Sequence, residues 1–117
     1  MITSILACSK RTVSLNADHA AEVLLFPAST PTLEVTDNEA AIKEAVVSGR
    51  DLILVDDIPA ASAILAVLPL AAIKPVIWVT PDDVALGNAL KAMFADSGVR
   101  AVRRPWHLLT QSGFRSR

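Results

Sequence analysis

The stretch that decides the fold is DLILVDDIP, residues 51–59. Four consecutive aliphatic residues run into two carboxylates, and an Ala- and Leu-rich segment follows. An unbroken aliphatic run of this length is typical of a strand that is buried on both faces of a parallel sheet. The stretch therefore predicts a central strand at Asp51–Asp57 and then a helix over Ile58–Ile73, which Pro69 bends or ends.

Further apolar runs lie on both sides of this strand, and the one at Thr32–Thr36 is shorter and weaker than the others. They predict four further strands, which are Ile2–Cys8, Thr32–Thr36, Pro75–Thr80 and Val99–Val102. Because helical patterns separate these runs, strand and helix alternate five times along the 117 residues. Alternation at this spacing favours one α/β domain, with a parallel sheet between helices on both faces.

Several helix ends can also be predicted. Thr36 and Glu39 have the spacing of a capping box, and Gly49 is a natural stop for the helix that they would begin. A second start is predicted at Thr80, whose hydroxyl would cap a helix with proline at its first position. The helix that begins after Thr80 would have an apolar face and would end at Gly98, and the residues of that face are Leu86, Leu90, Met93 and Phe94. Two further helices are predicted, a weaker one at Asp18–Phe26 and a terminal one at His107–Phe114.

Composition excludes several classes of protein. Hydrophobic residues make up 52% of the chain and charged residues 20%, which is too apolar for a disordered protein. The single cysteine, Cys8, fits a reducing compartment, and the longest uncharged run is shorter than a membrane span and contains prolines. We therefore expect a cytoplasmic protein without membrane contact. The formal charge is −1, but residues 100–117 carry five arginines and no acid.

Three segments resemble the receiver domain of two-component response regulators. They are DLILVDDIP at residues 51–59, KPVIWVT at residues 74–80 and VRRPW at residues 102–106. The resemblance implies a flavodoxin-like fold, a three-layer sandwich with five parallel strands in the order 2-1-3-4-5. It also implies that Asp56 is the phospho-acceptor, that Thr80 senses the phosphoryl group, and that Arg104 occupies the position of the receiver lysine.

The sequence departs from receivers where Mg²⁺ would bind. Receivers carry an acidic pair after the first strand, whereas this chain has Ala7, Cys8 and Ser9 there. Asp56 and Asp57 are then the only candidate metal ligands, and they are weak ones, because Mg²⁺ needs several carboxylates together with phosphate oxygens. Without the ion, the charge that develops in phosphoryl transfer loses its main stabiliser. We expect no cofactor, and an atypical receiver in which phosphorylation of Asp56 is disfavoured.

Each candidate residue also has a purely structural interpretation. Asp56 and Asp57 can end a strand and cap the next helix, and Thr80 can act only as a helix cap. Arg103 and Arg104 can be solvated charges. Cys8 and Trp78 are expected in the core, and His19 and His107 on the surface. Trp106, which follows Pro105, is instead a candidate for an exposed contact residue.

The leading functional hypothesis is a receiver-like signalling module that acts by protein contact rather than as an enzyme. Its partner would be another protein or a second copy, through a surface that contains Leu90, Arg100, Arg103 and Trp106, and a sensor kinase is an uncertain further partner. The apolar helix at Ile58–Ile73 could also meet another chain. Three alternatives stay open: a conventional phospho-receiver, a small enzyme that uses the same crevice, and binding of nucleic acid or another anion by the terminal arginines.

Overall fold

The computed structural model describes residues 4–9 and 32–110. Five strands form one parallel sheet in the order β2-β1-β3-β4-β5, which is the flavodoxin-like arrangement that the resemblance implied. The strand bounds are Ser4–Cys8 for β1, Thr32–Thr36 for β2, Leu52–Val55 for β3, Val76–Val79 for β4 and Ala101–Arg103 for β5. The predicted strands are confirmed to within two residues at each described end.

Within residues 32–110, four helices are interleaved with these strands. They are α1 at Glu39–Ser48, α2 at Ile58–Val67, α3 at Val84–Met93 and α4 at Trp106–Thr110. The predicted helix at Asp18–Phe26 lies outside the described residues, as does the predicted end of the terminal helix. No helix in the described part of the chain has the length and apolarity that crossing a membrane would require.

Side chains that alternate along the strands form two apolar layers, because successive residues of a strand point to opposite faces. One layer contains Leu6, Ile53 and Ile77, and it packs against the buried faces of α1, α2 and α3. The other layer contains Leu54 and Trp78 and is covered by Trp106 of α4, among other residues. Helices therefore lie on both faces, and Trp78 is a core residue as predicted.

Two helix starts differ from the prediction. The N-cap of α1 is Asn38, whose Oδ1 accepts from the Ala41 N–H, while Thr36 is the last residue of β2. The N-cap of α3 is Asp83, whose Oδ1 accepts from the Leu86 N–H, so Thr80 does not cap this helix. Both errors have one cause. Thr36 and Thr80 have the sequence spacing of an N-cap, but Asn38 and Asp83 directly precede the first helical residue and accept the hydrogen bond.

The C-terminal ends of three helices lie closer to their predicted positions. Gly49 stops α1 with a positive φ of 101°, and its N–H bonds the Ala45 and Val46 carbonyl oxygens. Helix α2 ends at Val67, and Pro69 lies in the short 3-10 turn that follows, as predicted. Helix α3 ends at Met93, ahead of the predicted stop, and a turn runs on to Gly98.

Candidate functional site

Strand register brings four polar residues to the same edge of the sheet. Cys8 is paired with Val55, Val55 with Val79, and Val79 with Arg103. The residues that follow these four positions are Ser9, Asp56, Thr80 and Arg104. The carboxyl ends of parallel strands are where open α/β sheets bind ligands. Three of these four were predicted site residues, and the fold places them in one row.

Asp56 accepts hydrogen bonds from both sides of this row. Its Oδ2 accepts from the Ser9 hydroxyl at 2.9 Å and from the Trp106 indole N–H, with 3.4 Å between Nε1 and Oδ2. The carboxylate is half-buried, whereas Ser9 and Trp106 are buried. Sequence reasoning named Ser9 and Trp106 without connecting them to Asp56. Their sequence separations of 47 and 50 residues leave no local signal for that contact.

Thr80 is buried, and its hydroxyl has a backbone partner. Thr80 Oγ1 donates to the Val55 carbonyl oxygen at 3.0 Å, and the Thr80 N–H donates to the same oxygen at 2.9 Å. The Thr80 carbonyl oxygen in turn accepts from the Trp106 N–H. Thr80 therefore holds both the peptide that precedes Asp56 and the first residue of α4. It links the backbones at the two positions, Asp56 and Trp106, whose side chains are hydrogen-bonded.

The two arginines at the end of β5 contact backbone oxygens. Arg104 Nη1 donates to the Arg103 carbonyl oxygen at 2.9 Å, and among the described residues it forms no ion pair with Asp56. Arg103 Nη2 donates to the carbonyl oxygens of Pro81 and Asp82, at 3.3 and 3.2 Å. The Arg103 side chain crosses α3 at Gly87, where a Cβ would lie 2.3 Å from Arg103 Nε.

The donor set does not fit a magnesium ion. Asp57 Oδ1 accepts from the Ala60 N–H at 2.8 Å as the N-cap of α2, while Asp56 faces Ser9 and Trp106. The two neighbouring carboxylates thus have separate tasks. Within residues 4–9 and 32–110, no three His, Cys, Asp or Glu side chains are grouped so that they could hold a metal ion. Because Mg²⁺ requires converging oxygen ligands, no step can be derived through it here.

Cys8 lies at the bottom of a groove beside this row. Its thiol is buried, as predicted, and burial together with the carboxylates of Asp56 and Asp57 raises the pKa of the Cys8 thiol to about 12. A thiol with that pKa stays protonated at neutral pH and is a poor nucleophile. The groove that it lines has a volume of ≈ 340 Å³, with Asp37 and Glu39 at its mouth.

Two of the four predicted partner-contact residues are buried. Leu90 is in the core under α3, and Trp106 packs under α4, so neither side chain is available to a partner. Trp106 is buried because it faces the sheet and donates its N–H to Asp56, and Leu90 is buried because it lies on the inner face of α3. Arg100 is exposed, and Arg103 is half-buried.

Other side chains on that side of the molecule are exposed. Val84 at the start of α3 is 61% exposed, and Leu108 in α4 is 38% exposed. Between these elements Asp82 contacts His107, with 2.7 Å between Oδ1 and Nδ1, and Asp82 Oδ1 also accepts from the His107 N–H. The contact ties the loop after β4 to α4, and His107 is on the surface as predicted. We call Val84, Leu108, Asp82 and His107 the α3–α4 patch.

Comparisons with protein-family models, with curated proteins and with solved structures find no match to this chain.

Proposed function

We propose that this protein is an atypical receiver-like signalling module that acts through protein contact, without phosphorylation of Asp56. The observation that carries the proposal is the environment of Asp56. A phospho-acceptor carboxylate must reach both a phosphoryl donor and a metal ion. Asp56 instead accepts from Ser9 and from Trp106, and the neighbouring Asp57 caps α2.

Thr80 and Arg104, which match the receiver residues that respond to the phosphoryl group, form hydrogen bonds to backbone carbonyl oxygens here. The Thr80 hydroxyl donates to the Val55 carbonyl oxygen within a buried environment, and Arg104 donates to its neighbour's carbonyl oxygen. A hydroxyl that already has a partner moves toward a phosphoryl group only if that hydrogen bond breaks. These contacts favour one fixed arrangement of the sheet edge, which suits a module that presents a constant surface.

The surface that best fits such a role is the α3–α4 patch. It combines exposed aliphatic side chains, Val84 and Leu108, with the polar pair of Asp82 and His107 between their elements. Protein interfaces commonly surround apolar side chains with polar groups that keep the surface compatible with water. The patch replaces the predicted set, from which Leu90 and Trp106 are removed because they are buried.

Intact mass after incubation with Mg²⁺ and acetyl phosphate tests the first half of the proposal. We expect no phosphoryl adduct on the wild-type chain, under conditions in which an ordinary receiver is modified. Asp56→Ala is the control for modification elsewhere. An adduct that the wild type forms and Asp56→Ala lacks would make this chain a conventional phospho-receiver and overturn the proposal.

Partner capture tests the second half. The double variant Val84→Ser with Leu108→Ser should lose partners that the wild type retains, because it removes the apolar part of the α3–α4 patch. Val35→Ser, a change at an exposed aliphatic residue of β2 that lies outside the patch, is the matched control and should retain them. Equal capture by the double variant and the control would assign the contact to another surface.

A further inference from the structure

Two opposite edges of the sheet differ in shape and charge. The edge where the strands end carries a groove, and the edge where they begin carries exposed apolar side chains beside cations. We propose that these edges bind each other in successive copies of the chain, so that the protein self-associates head to tail. The inference concerns surfaces other than the α3–α4 patch and does not depend on it.

The acidic groove is the first of the two surfaces. Its floor is apolar and buried, and includes Cys8, Ile42 and Ala60. Its rim carries three exposed carboxylates, which are those of Asp37, Glu39 and Asp57. Among the described residues that line the groove none is basic, although Lys43 pairs with Glu39 one helical turn away, at 3.0 Å. The groove therefore suits an aliphatic side chain that has a cation beside it.

The basic ridge is the second surface, and we define it as Val47, Leu70, Ile73, Lys74 and Arg100. Its aliphatic members are exposed: Val47 at 39%, Leu70 at 67% and Ile73 at 47%. Local contacts hold the ridge together, since the Ala72 N–H donates to the Val47 carbonyl oxygen. An exposed cluster of this kind in a small domain is typical of an interaction surface.

The cations of the ridge lie beside its apolar part. Lys74 follows Ile73, and a Cβ at Gly98 would lie 3.0 Å from Lys74 Nζ, so Lys74 reaches the segment that leads to Arg100. Both cations are exposed, and among the described residues neither forms an ion pair. Asp96 is also exposed at this edge, but it does not pair with Lys74. The cations are thus available to carboxylates of another molecule.

A second copy is the occupant that these observations favour. The ridge offers aliphatic side chains with adjacent cations, and the groove offers an apolar floor with a rim of carboxylates, so the surfaces are complementary in both respects. They lie at opposite ends of the α1–α2 layer, because α2 begins at the groove with Ile58 and Pro59 and leads toward Leu70. One copy cannot fill its own groove with its own ridge. A contact between different surfaces of identical copies continues as a chain unless its geometry closes a ring.

Sedimentation velocity over a range of protein concentrations tests the proposal. The wild type should form species larger than dimers as its concentration rises, and added salt should weaken their formation. Leu70→Ser changes the ridge, Asp37→Lys changes the groove, and each should weaken self-association by about tenfold or more. Both positions are exposed, so thermal melting should show that both variants remain folded.

Mixing the two variants distinguishes this arrangement from any other. The Leu70→Ser chain keeps its groove and the Asp37→Lys chain keeps its ridge, so together they should form a one-to-one dimer and nothing larger. Glu44→Lys, which lies on α1 outside the groove lining, and Val84→Asp, in the α3–α4 patch, are controls that should associate like the wild type. A wild type that stays monomeric, a mixture that stays monomeric, or loss of association in Val84→Asp alone would each overturn the proposal.

Discussion

The indole N–H of Trp106 donates to the Asp56 carboxylate across 50 residues of sequence, and it does so from beneath α4. The same oxygen accepts from the Ser9 hydroxyl. One carboxylate thus connects the end of β1, the end of β3 and the first residue of α4. In this fold Asp56 is part of the structure that holds the sheet edge together.

Removal of the Asp56 carboxylate should therefore destabilise the protein. Asp56→Ala removes a charged acceptor of two hydrogen bonds, and a hydrogen bond to a charged group contributes about 1.5–3 kcal/mol. Asp56→Asn keeps one side-chain oxygen and should lose less. Urea unfolding followed by circular dichroism measures both free energies. Equal stability of the wild type and Asp56→Ala would show that Ser9 and Trp106 find other partners at no cost.

Arg103 and Gly87 should depend on each other energetically. Gly87→Ala ordinarily stabilises a helix by about 1 kcal/mol. Here the new methyl group would overlap the Arg103 side chain, so we expect a net loss of stability. In an Arg103→Ala background the same change should stabilise the protein. Thermal or urea unfolding of the wild type, the two single variants and the double variant gives the coupling free energy between the two positions.

Asn88→Ala, at the exposed neighbouring position of α3, is the matched control for helix propensity and should be insensitive to Arg103. A Gly87→Ala effect that is the same with and without Arg103 would mean that the arginine side chain moves aside freely.

The buried Cys8 thiol should make stability depend on pH in the alkaline range. Its folded pKa is raised from 9.0 to about 12, so between these values the unfolded state releases a proton that the folded state keeps. The unfolded state then binds fewer protons, and the free energy of unfolding must fall as pH rises through this window. Below pH 9 the thiol contributes no slope.

Urea unfolding of the wild type and of Cys8→Ala at pH 8 and pH 10.5 isolates this effect. The chain contains no tyrosine, so lysines are the other side chains that titrate appreciably between these values, and both proteins carry the same ones. We expect the wild type to lose more stability than Cys8→Ala on going to the higher pH. Parallel losses in the two proteins would contradict the raised pKa.

Helix α3 should depend on Asp83 and not on Thr80 for its first turn. Asp83→Ala removes the acceptor of the Leu86 N–H and should cost about 0.5–2 kcal/mol, as loss of an N-cap does. Amide hydrogen exchange should rise in the first turn of α3. Asp96→Ala, at an exposed acid that caps no described helix, is the control.

Thr80→Val should have a different signature. It removes the buried hydroxyl that donates to the Val55 carbonyl oxygen, so stability should fall by about 1 kcal/mol. Amide hydrogen exchange in the first turn of α3 should rise no more than the loss of overall stability accounts for. Selective fraying of α3 in Thr80→Val would restore the capping role that the sequence suggested.

Local sequence was sufficient for much of this fold. The aliphatic run Leu52–Val55 and its counterparts predict strands because a parallel strand that is buried on both faces needs apolar residues at every position. Gly49 and Pro69 predict chain turns because they act through their own backbones. The order of strands came from the resemblance to receivers, and the sheet has that order.

Only the tertiary structure decided what the site residues do. Asp56, Ser9 and Trp106 meet because parallel pairing aligns the ends of β1, β3 and β5, and α4 returns the indole to the sheet. The predicted contact residue Trp106 is buried for the same reason. Sequence by itself determined where strands and helices form, since that depends on neighbouring residues. Which side chains became partners was set by strand register and helix packing, which join residues far apart in the chain.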